Sequence, residues 1–293
     1  MTDPVPPKRI FPDAKVDAEA AQHIPSSPQT EDPAYSLAFQ DNEFLLRPDL
    51  RPVRFQLELL KPELLLDEQK IGSTFVFYGS ARVPEPAKAD ALLAAARTDK
   101  QRLIAQRLKD KSRYYDVARE LARLCSRTDL DEDGNRHFVV CSGGGPSFME
   151  AANRGAEDAG AESIGLNIVL PHEQLPNPYV TPSLSFQFHY FALRKMHFLL
   201  RARAVAVFPG GFGTFDEMFE LLTLIQTGKV RPLPILLYGR DFWTRVVNFD
   251  ALVEEGVISE RDLDLITWCE TAEEGWGAVC DHYAAEEQKT AAE

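Results

Sequence analysis

The sequence predicts an α/β protein: a Rossmann-like, doubly wound parallel sheet with helices on both faces, preceded by an N-terminal extension. Three observations predict it. From Thr74 onward, short apolar runs alternate with longer helical patterns. Those runs are apolar at nearly every residue, as strands buried on both faces are. Glycine-bearing turns at 79, 143–145 and 210–213 each follow such a run. That places all three turns at the carboxyl edge of the sheet, where ligands bind in this architecture.

The elements follow in order. Half of the 20 prolines fall before residue 63, and residues 1–35 show little apolar periodicity. That segment reads as a mobile or surface-draped tail. Residues 37–66 are richer in apolar side chains and read as helix in pieces, broken by Pro48, Pro52 and Pro62. Together they form an extension over residues 1–70, with the α/β domain over 71–285. Thr74–Tyr78 is the first strand, ending in Gly79-Ser80-Ala81-Arg82. Residues 86–109 and 113–126 read as two helical stretches. Residues 138–141 form a second strand, followed by Ser142-Gly143-Gly144-Gly145-Pro146 and a helix over 147–159. Ser163–Ile168 and Ser185–Phe188 are the third and fourth strands, with a proline-rich loop over 170–182 as a lid or base-side wall. A helix over 190–201 leads to a fifth strand over 204–208. Ile235–Tyr238 is the sixth, and a last strand near 264–268 precedes a C-terminal helix.

Composition narrows the function. The chain of 293 residues is 44% hydrophobic and 26% charged, ordinary for a globular protein. A net charge of −13 argues against a general nucleic-acid binder, which would show a basic face. It leaves room for a small anionic ligand held by backbone amides and a few arginines. No stretch is apolar for long enough to span a bilayer, and no secretory leader is apparent. Cys125, Cys141, Cys269 and Cys280 lack metal-ligand spacing and are too few for a disulfide scaffold. They read as core thiols in a reducing cytoplasm.

The most informative stretch is Pro209-Gly210-Gly211-Phe212-Gly213-Thr214-Phe215-Asp216-Glu217. Strand, glycine turn and helix start follow one another there. The glycines are read as reaching backbone conformations closed to bulkier residues, so that N–H groups approach a ligand. The helix start adds unpaired donors and a positive dipole end, which suits phosphate. Neither this turn nor 143–146 matches the Gly-x-Gly-x-x-Gly dinucleotide pattern, and the P-loop lysine is missing. Glu217 is expected in the first helical turn and ionised, placed to act on whatever the phosphate carries. If the ligand is a nucleotide cut at its glycosidic bond, the sugar becomes oxocarbenium-like, and a carboxylate near the anomeric carbon stabilises it and orients water.

The combination resembles the LOG ("Lonely Guy") family, once labelled lysine decarboxylases. The resemblance rests on Gly79-Ser80, on residues 142–153, on Arg194-Lys195 and on the complete Pro-Gly-Gly-x-Gly-Thr-x-x-Glu stretch ending at Glu217. It covers roughly residues 72–283. It implies hydrolysis of the N-glycosidic bond of purine nucleoside 5′-monophosphates, AMP or N6-prenyl AMP, to free base and ribose 5-phosphate. It implies Arg194 and Glu217 as the catalytic pair. Gly210, Gly211, Gly213 and Thr214 would then hold the 5′-phosphate. Gly79, Ser80, Gly143, Gly144 and Gly145 would line the nucleotide, and Met149, Glu150 and Lys195 would complete its surroundings. Arginine is a poor proton donor, so Arg194 positions ligand groups or stabilises charge on the departing base. Arg82 could meet phosphate or a neighbouring subunit, while His189 and His197 read as packing or surface residues. A homo-oligomer in the cytoplasm is expected, with no metal and no cofactor. The alternative reading is a non-catalytic nucleotide-sensing or carrier module. A pyridoxal-phosphate decarboxylase would need a Schiff-base lysine, and nothing around Lys195 resembles a cofactor-holding loop. Two features depart from the short relatives: about 70 residues precede the first strand, and a charged helical segment, 85–112, is inserted after it.

Overall fold

The computed structural model describes residues 11, 13–171 and 175–292. The chain separates into two compact units, one running to Glu58 and the other starting at Leu59. In the first unit, α1 (Ala14–Ala21) is a helix where a tail without structure was expected. Its N-cap, Asp13, accepts from the Lys15 amide at 3.0 Å, and no residue of the helix is buried. Asn42–Leu46 (α2) is likewise capped, by Asp41. Arg54 donates to the carbonyls of Leu45 and Arg47, both at 2.7 Å, which closes the turn between α2 and the next helix.

That next helix, α3 (Arg51–Glu68), is continuous, contrary to the expected breaks. Pro52 lies in the first turn, where its missing N–H has no helical partner to lose. Pro62 does cost the helix interior a hydrogen bond. Its ring and Leu66 are buried, and that burial offsets the loss.

Seven strands among the described residues form one parallel sheet in the order β4-β3-β2-β1-β5-β6-β7. They are β1 (Thr74–Tyr78), β2 (Val139–Ser142), β3 (Ser163–Ile168), β4 (Ser185–Phe188), β5 (Ala202–Val207), β6 (Ile235–Tyr238) and β7 (Ile266–Cys269). All seven match expected strands, with ends moved by one or two residues for β2, β5 and β7. The chain builds outward from β1 through β4, then crosses to β5 on the other side of β1, pairing Thr74 with Ala202.

The helices fall on two faces because alternate strand residues do. Val76 and Tyr78 join one core with Phe198, Met218, Leu221 and Trp243. These come from α7 (Phe191–Leu200), α8 (Phe212–Gln226) and α9 (Arg240–Val246). Phe75 and Phe77 join the other core with Tyr114, Leu121, Phe148 and Val279, from α5 (Asp99–Cys125), α6 (Phe148–Asp158) and α11 (Ala272–Ala292). Two short helices, α4 (Pro86–Ala94) and α10 (Phe249–Glu254), complete the set.

The inserted segment does form two helices, but the division lies at 95–98 rather than near 110. Thr98 and Gln101 make a reciprocal capping box there, which starts α5 and lets it run unbroken through Cys125. Gly155 lets α6 approach α5 so closely that a Cβ would stand 2.0 Å from the Arg119 carbonyl oxygen.

Candidate active site

The chain reverses its direction of growth between β1 and β5, and the crevice at such a switch point is where ligands bind. The turns after those two strands touch: the Ser80 amide donates to the Pro209 carbonyl at 3.2 Å. Ser80 Oγ accepts from the Arg82 amide at 3.0 Å and shapes the first turn. Gly79 is required for space, since a Cβ would come within 2.6 Å of the Phe148 ring.

The turn after β2 is braced by buried amides. Ser142 Oγ donates to Asn153 Oδ1 at 2.7 Å and accepts from the Gly144 amide at 3.1 Å. Asn177 donates to Asn153 Oδ1 at 2.9 Å and to the Gly145 carbonyl at 3.0 Å. Gly144 has φ +70°, and a Cβ there would collide with Asn167 Oδ1 at 2.3 Å. Ser147, with φ +66°, donates its hydroxyl to the Val83 carbonyl at 2.6 Å, tying this turn to the loop after β1. Asn177 shows that the 170–182 loop is anchored to the glycine turn at its far end; residues 172–174 of that loop lie outside the described residues.

After β5 the glycines act through space, not unusual backbone angles. None of Gly210, Gly211 and Gly213 has a positive φ. A Cβ on Gly210 would meet Thr214 Oγ1 at 2.1 Å, so the buried threonine folds against it. Gly211 and Gly213 are exposed, with open space where a Cβ would stand. Helix α8 begins at Phe212, which makes Glu217 its sixth residue, in the second turn rather than the first.

That displacement changes the electrostatics. Glu217 is inside the protein, and burial pushes its carboxyl up to about 7 against the opposing pull of Arg194. The expectation of a carboxylate kept ionised by a helix start is therefore corrected: desolvation raises its proton affinity to near neutrality. Arg194 is buried too, and burial lowers its affinity for a proton. Its Nη1 stands 3.6 Å from Glu217 Oε1, an ion pair beyond hydrogen-bond reach. The guanidinium is held from three sides. Nε donates to the Leu166 carbonyl at the end of β3 at 2.7 Å, and the group lies 5.1 Å from the centre of the Phe198 ring. A Cβ on Gly143 would lie 2.5 Å from Nη2.

The structure thus brings Arg194, Glu217, Gly143 and Met149 together; the same Gly143 Cβ would meet Met149 Sδ at 2.8 Å. Two expected residues are engaged elsewhere. Lys195 pairs with Asp216 at 2.9 Å and Glu220 at 3.0 Å along the flank of α7 and α8. Glu150 accepts from the Tyr115 hydroxyl at 3.1 Å. His197 is buried, as a packing role requires, with Glu63 of α3 at 3.6 Å and the Phe188 ring beside it.

The sequence reading missed Tyr78 and Asn177. Tyr78 ends β1 against Phe198, its phenol pushed well above the usual range by burial and by Glu217. Asn153 carried a signal: it is a polar residue on the apolar face of α6, between Ala152 and Ala156, and is fully buried. Among the described residues, no group of three or more His, Cys, Asp or Glu side chains is placed to hold a metal ion. Nor is any helix long and apolar enough to cross a membrane.

Residues 149–279 match the family described as "Possible lysine decarboxylase", a span containing Arg194 and Glu217. Cytokinin riboside 5′-monophosphate phosphoribohydrolase LOG2 of Arabidopsis thaliana is 27% identical over 154 residues, 51% of this chain and 67% of its own length. Over that span the chain is similar to the LOG family. A second relative is the pyrimidine/purine nucleotide 5′-monophosphate nucleosidase of Escherichia coli K12. It is 30% identical over 127 residues, 40% of this chain and 27% of its own length. Among solved structures, a molybdenum cofactor carrier protein of Chlamydomonas reinhardtii overlays 72% of this chain and 99% of its own. At 18% identity and a TM-score of 0.41 the overlap is too loose to bear on what this chain does.

Proposed function

We propose that residues 71–285 form a catalytic domain that hydrolyses the N-glycosidic bond of purine nucleoside 5′-monophosphates, with adenine or an N6-substituted adenine as leaving group. The observation that carries this is the buried pair of Arg194 and Glu217 at the sheet's switch point, flanked by the exposed Gly211 and Gly213. The names of the relatives agree with it, since each acts on a nucleoside 5′-monophosphate.

In this reading the amides of Gly211 and Gly213 take the 5′-phosphate, and Thr214 holds the turn through its contact with Gly210. Glu217, ionised, faces the sugar and stabilises the positive charge that develops as the base departs. With a carboxyl near neutrality it also exchanges a proton with water readily as water attacks. Arg194, fixed by the Leu166 carbonyl and Phe198, orients the nucleotide without giving up a proton. Lys195, occupied by Asp216 and Glu220, serves the site by docking α7 on α8. The exposed apolar side chains of α7, Phe191, Met196 and Leu200, support a homo-oligomer, which the mass in solution tests.

Incubation with AMP and with isopentenyladenosine monophosphate, followed by chromatography of free base, tests the reading. Base and ribose 5-phosphate in equal amounts are expected from the wild type and not from Glu217→Gln. No base from either nucleotide, with tight AMP binding by calorimetry, would replace the hydrolase with a nucleotide sensor.

Gly143 offers a narrower check. The side chain of Gly143→Ala would displace the Arg194 guanidinium and Met149 sulfur, both ends of flexible chains. Stability should change by no more than about 1 kcal/mol, while turnover falls on the order of tenfold or more. A variant with wild-type turnover would show that Arg194 does not need this position.

A further inference from the structure

A second cluster of positive charge lies at the same end of the sheet, one strand beyond the Pro209 turn. A cleft of about 480 Å³ is lined by Arg107, Lys111 and Arg113 of α5, by Gly239 after β6, and by Phe242 and Arg245 of α9. Arg107 and Lys111 are four residues apart on one helix face. The chain carries a net charge of −13, so cations gathered here run against its overall balance.

The decisive feature is that most of this charge is unspent. Arg113 is committed to Glu270 at 3.0 Å and to the Tyr114 hydroxyl at 2.6 Å. Arg107, Lys111 and Arg245 have no carboxylate at ion-pair distance among the described residues. Lys111 is half-buried; its ammonium donates to the Arg107 carbonyl and sits 5.8 Å from the centre of the Phe242 ring. Burial lowers its proton affinity; Asp110 opposes that by attraction, and Arg107 and Arg245 add to it by repulsion. Two carboxylates, Asp110 and Asp241, line the same cleft, the first accepting from Gln106 at 2.7 Å. Arg107 and Arg245 are exposed and Lys111 is half-buried, so the three cations repel one another at close quarters and an anion bound between them relieves that repulsion.

We propose that this cleft binds a small polyanion bearing a diphosphate or an equivalent pair of phosphates, at a site separate from the glycine turns. Arginine forks match phosphate oxygens in bidentate fashion, and the half-buried ammonium supplies a point charge between them. The volume suits a small molecule and not a polymer, and the acidic surface repels nucleic acid at longer range. The floor of the cleft gives such a ligand a path to the proposed active site. Gly239, at φ +83°, packs against both the Tyr114 ring and Pro209, where the turn Gly210–Gly213 begins.

Inorganic pyrophosphate is the probe, titrated calorimetrically into the full chain at low ionic strength. The wild type and Thr214→Val should bind it alike. Arg107→Gln should lose affinity on the order of tenfold, and Lys111→Gln with Arg245→Gln should lose it further. Binding should also weaken steeply with added salt. Pyrophosphate heat abolished in Thr214→Val but intact in the double variant would assign it to the glycine turn and overturn the proposal. So would no binding by the wild type. Because the readout is binding, neither result depends on whether the chain hydrolyses AMP.

Discussion

Glu217→Gln should lower kcat/KM by about a thousandfold while leaving nucleotide affinity within a few-fold, because the carboxylate is required only as charge develops on the sugar. The wild-type profile should carry the same group's signature. Glu217 is active when ionised and its carboxyl sits at about 7, so kcat/KM should rise with pH through neutrality and level above it. The residual rate of Glu217→Gln should lack that step. A stability measurement gives an independent sign. The folded value lies above the ordinary carboxylate value of 4.5, so this contribution is full below about pH 4.5 and is lost as pH rises through about 7. Relative to Glu217→Gln, which does not titrate, the wild type should lose on the order of 3 kcal/mol across that window. Parallel stability curves for the two proteins would show that Glu217 ionises normally. The proposed carboxylate would then be exposed and its role in the buried site wrong.

Gly155→Ala should be the most destabilising single-methyl change in the fold. Helix propensity alone favours alanine by about 1 kcal/mol. Against that, the new Cβ would stand 2.0 Å from the Arg119 carbonyl oxygen and 2.8 Å from Ala122 Cβ, and the nearer of these is backbone that cannot rotate away. Helices α5 and α6 must separate, opening the core they share with Phe148 and Leu121. A net loss of about 3 kcal/mol is expected, roughly 10 °C in a thermal melt. A melting temperature equal to that of the wild type would mean the two helices do not meet at this glycine.

The central strands were legible because each is a short apolar run bounded by turn residues, and in β1, β2 and β6 burial on both faces leaves almost every position apolar. The continuity of α3 was not, because local rules treat Pro62 as a break, whereas the burial of its ring is a tertiary gain. The start of α5 was written in Thr98 and Gln101, a capping box three residues apart that the run of charged residues obscured. The site divides in the same way. Arg194 and Glu217 stood out through their motifs, but the protonation of Glu217 depends on what covers it, and position within a helix does not report that. Lys195 was grouped with Arg194 because they are adjacent. Consecutive helical residues point about 100° apart, and here one faces the sheet edge and the other α8.

The pairing of β1 with β5 also dictates when the crevice can exist during folding. Thr74 meets Ala202 across more than a hundred residues of intervening chain, so a ribosome-bound nascent protein can assemble β1 to β4 long before their central neighbour is synthesised. Until then β1 is an open edge, its unpaired amides and carbonyls facing outward beside Phe75 and Phe77. Closing that long loop is slow, and the half-built sheet is the species most exposed to aggregation and to chaperones. The crevice therefore forms only when β5 docks and carries Pro209 and the glycine turn into register beside Ser80.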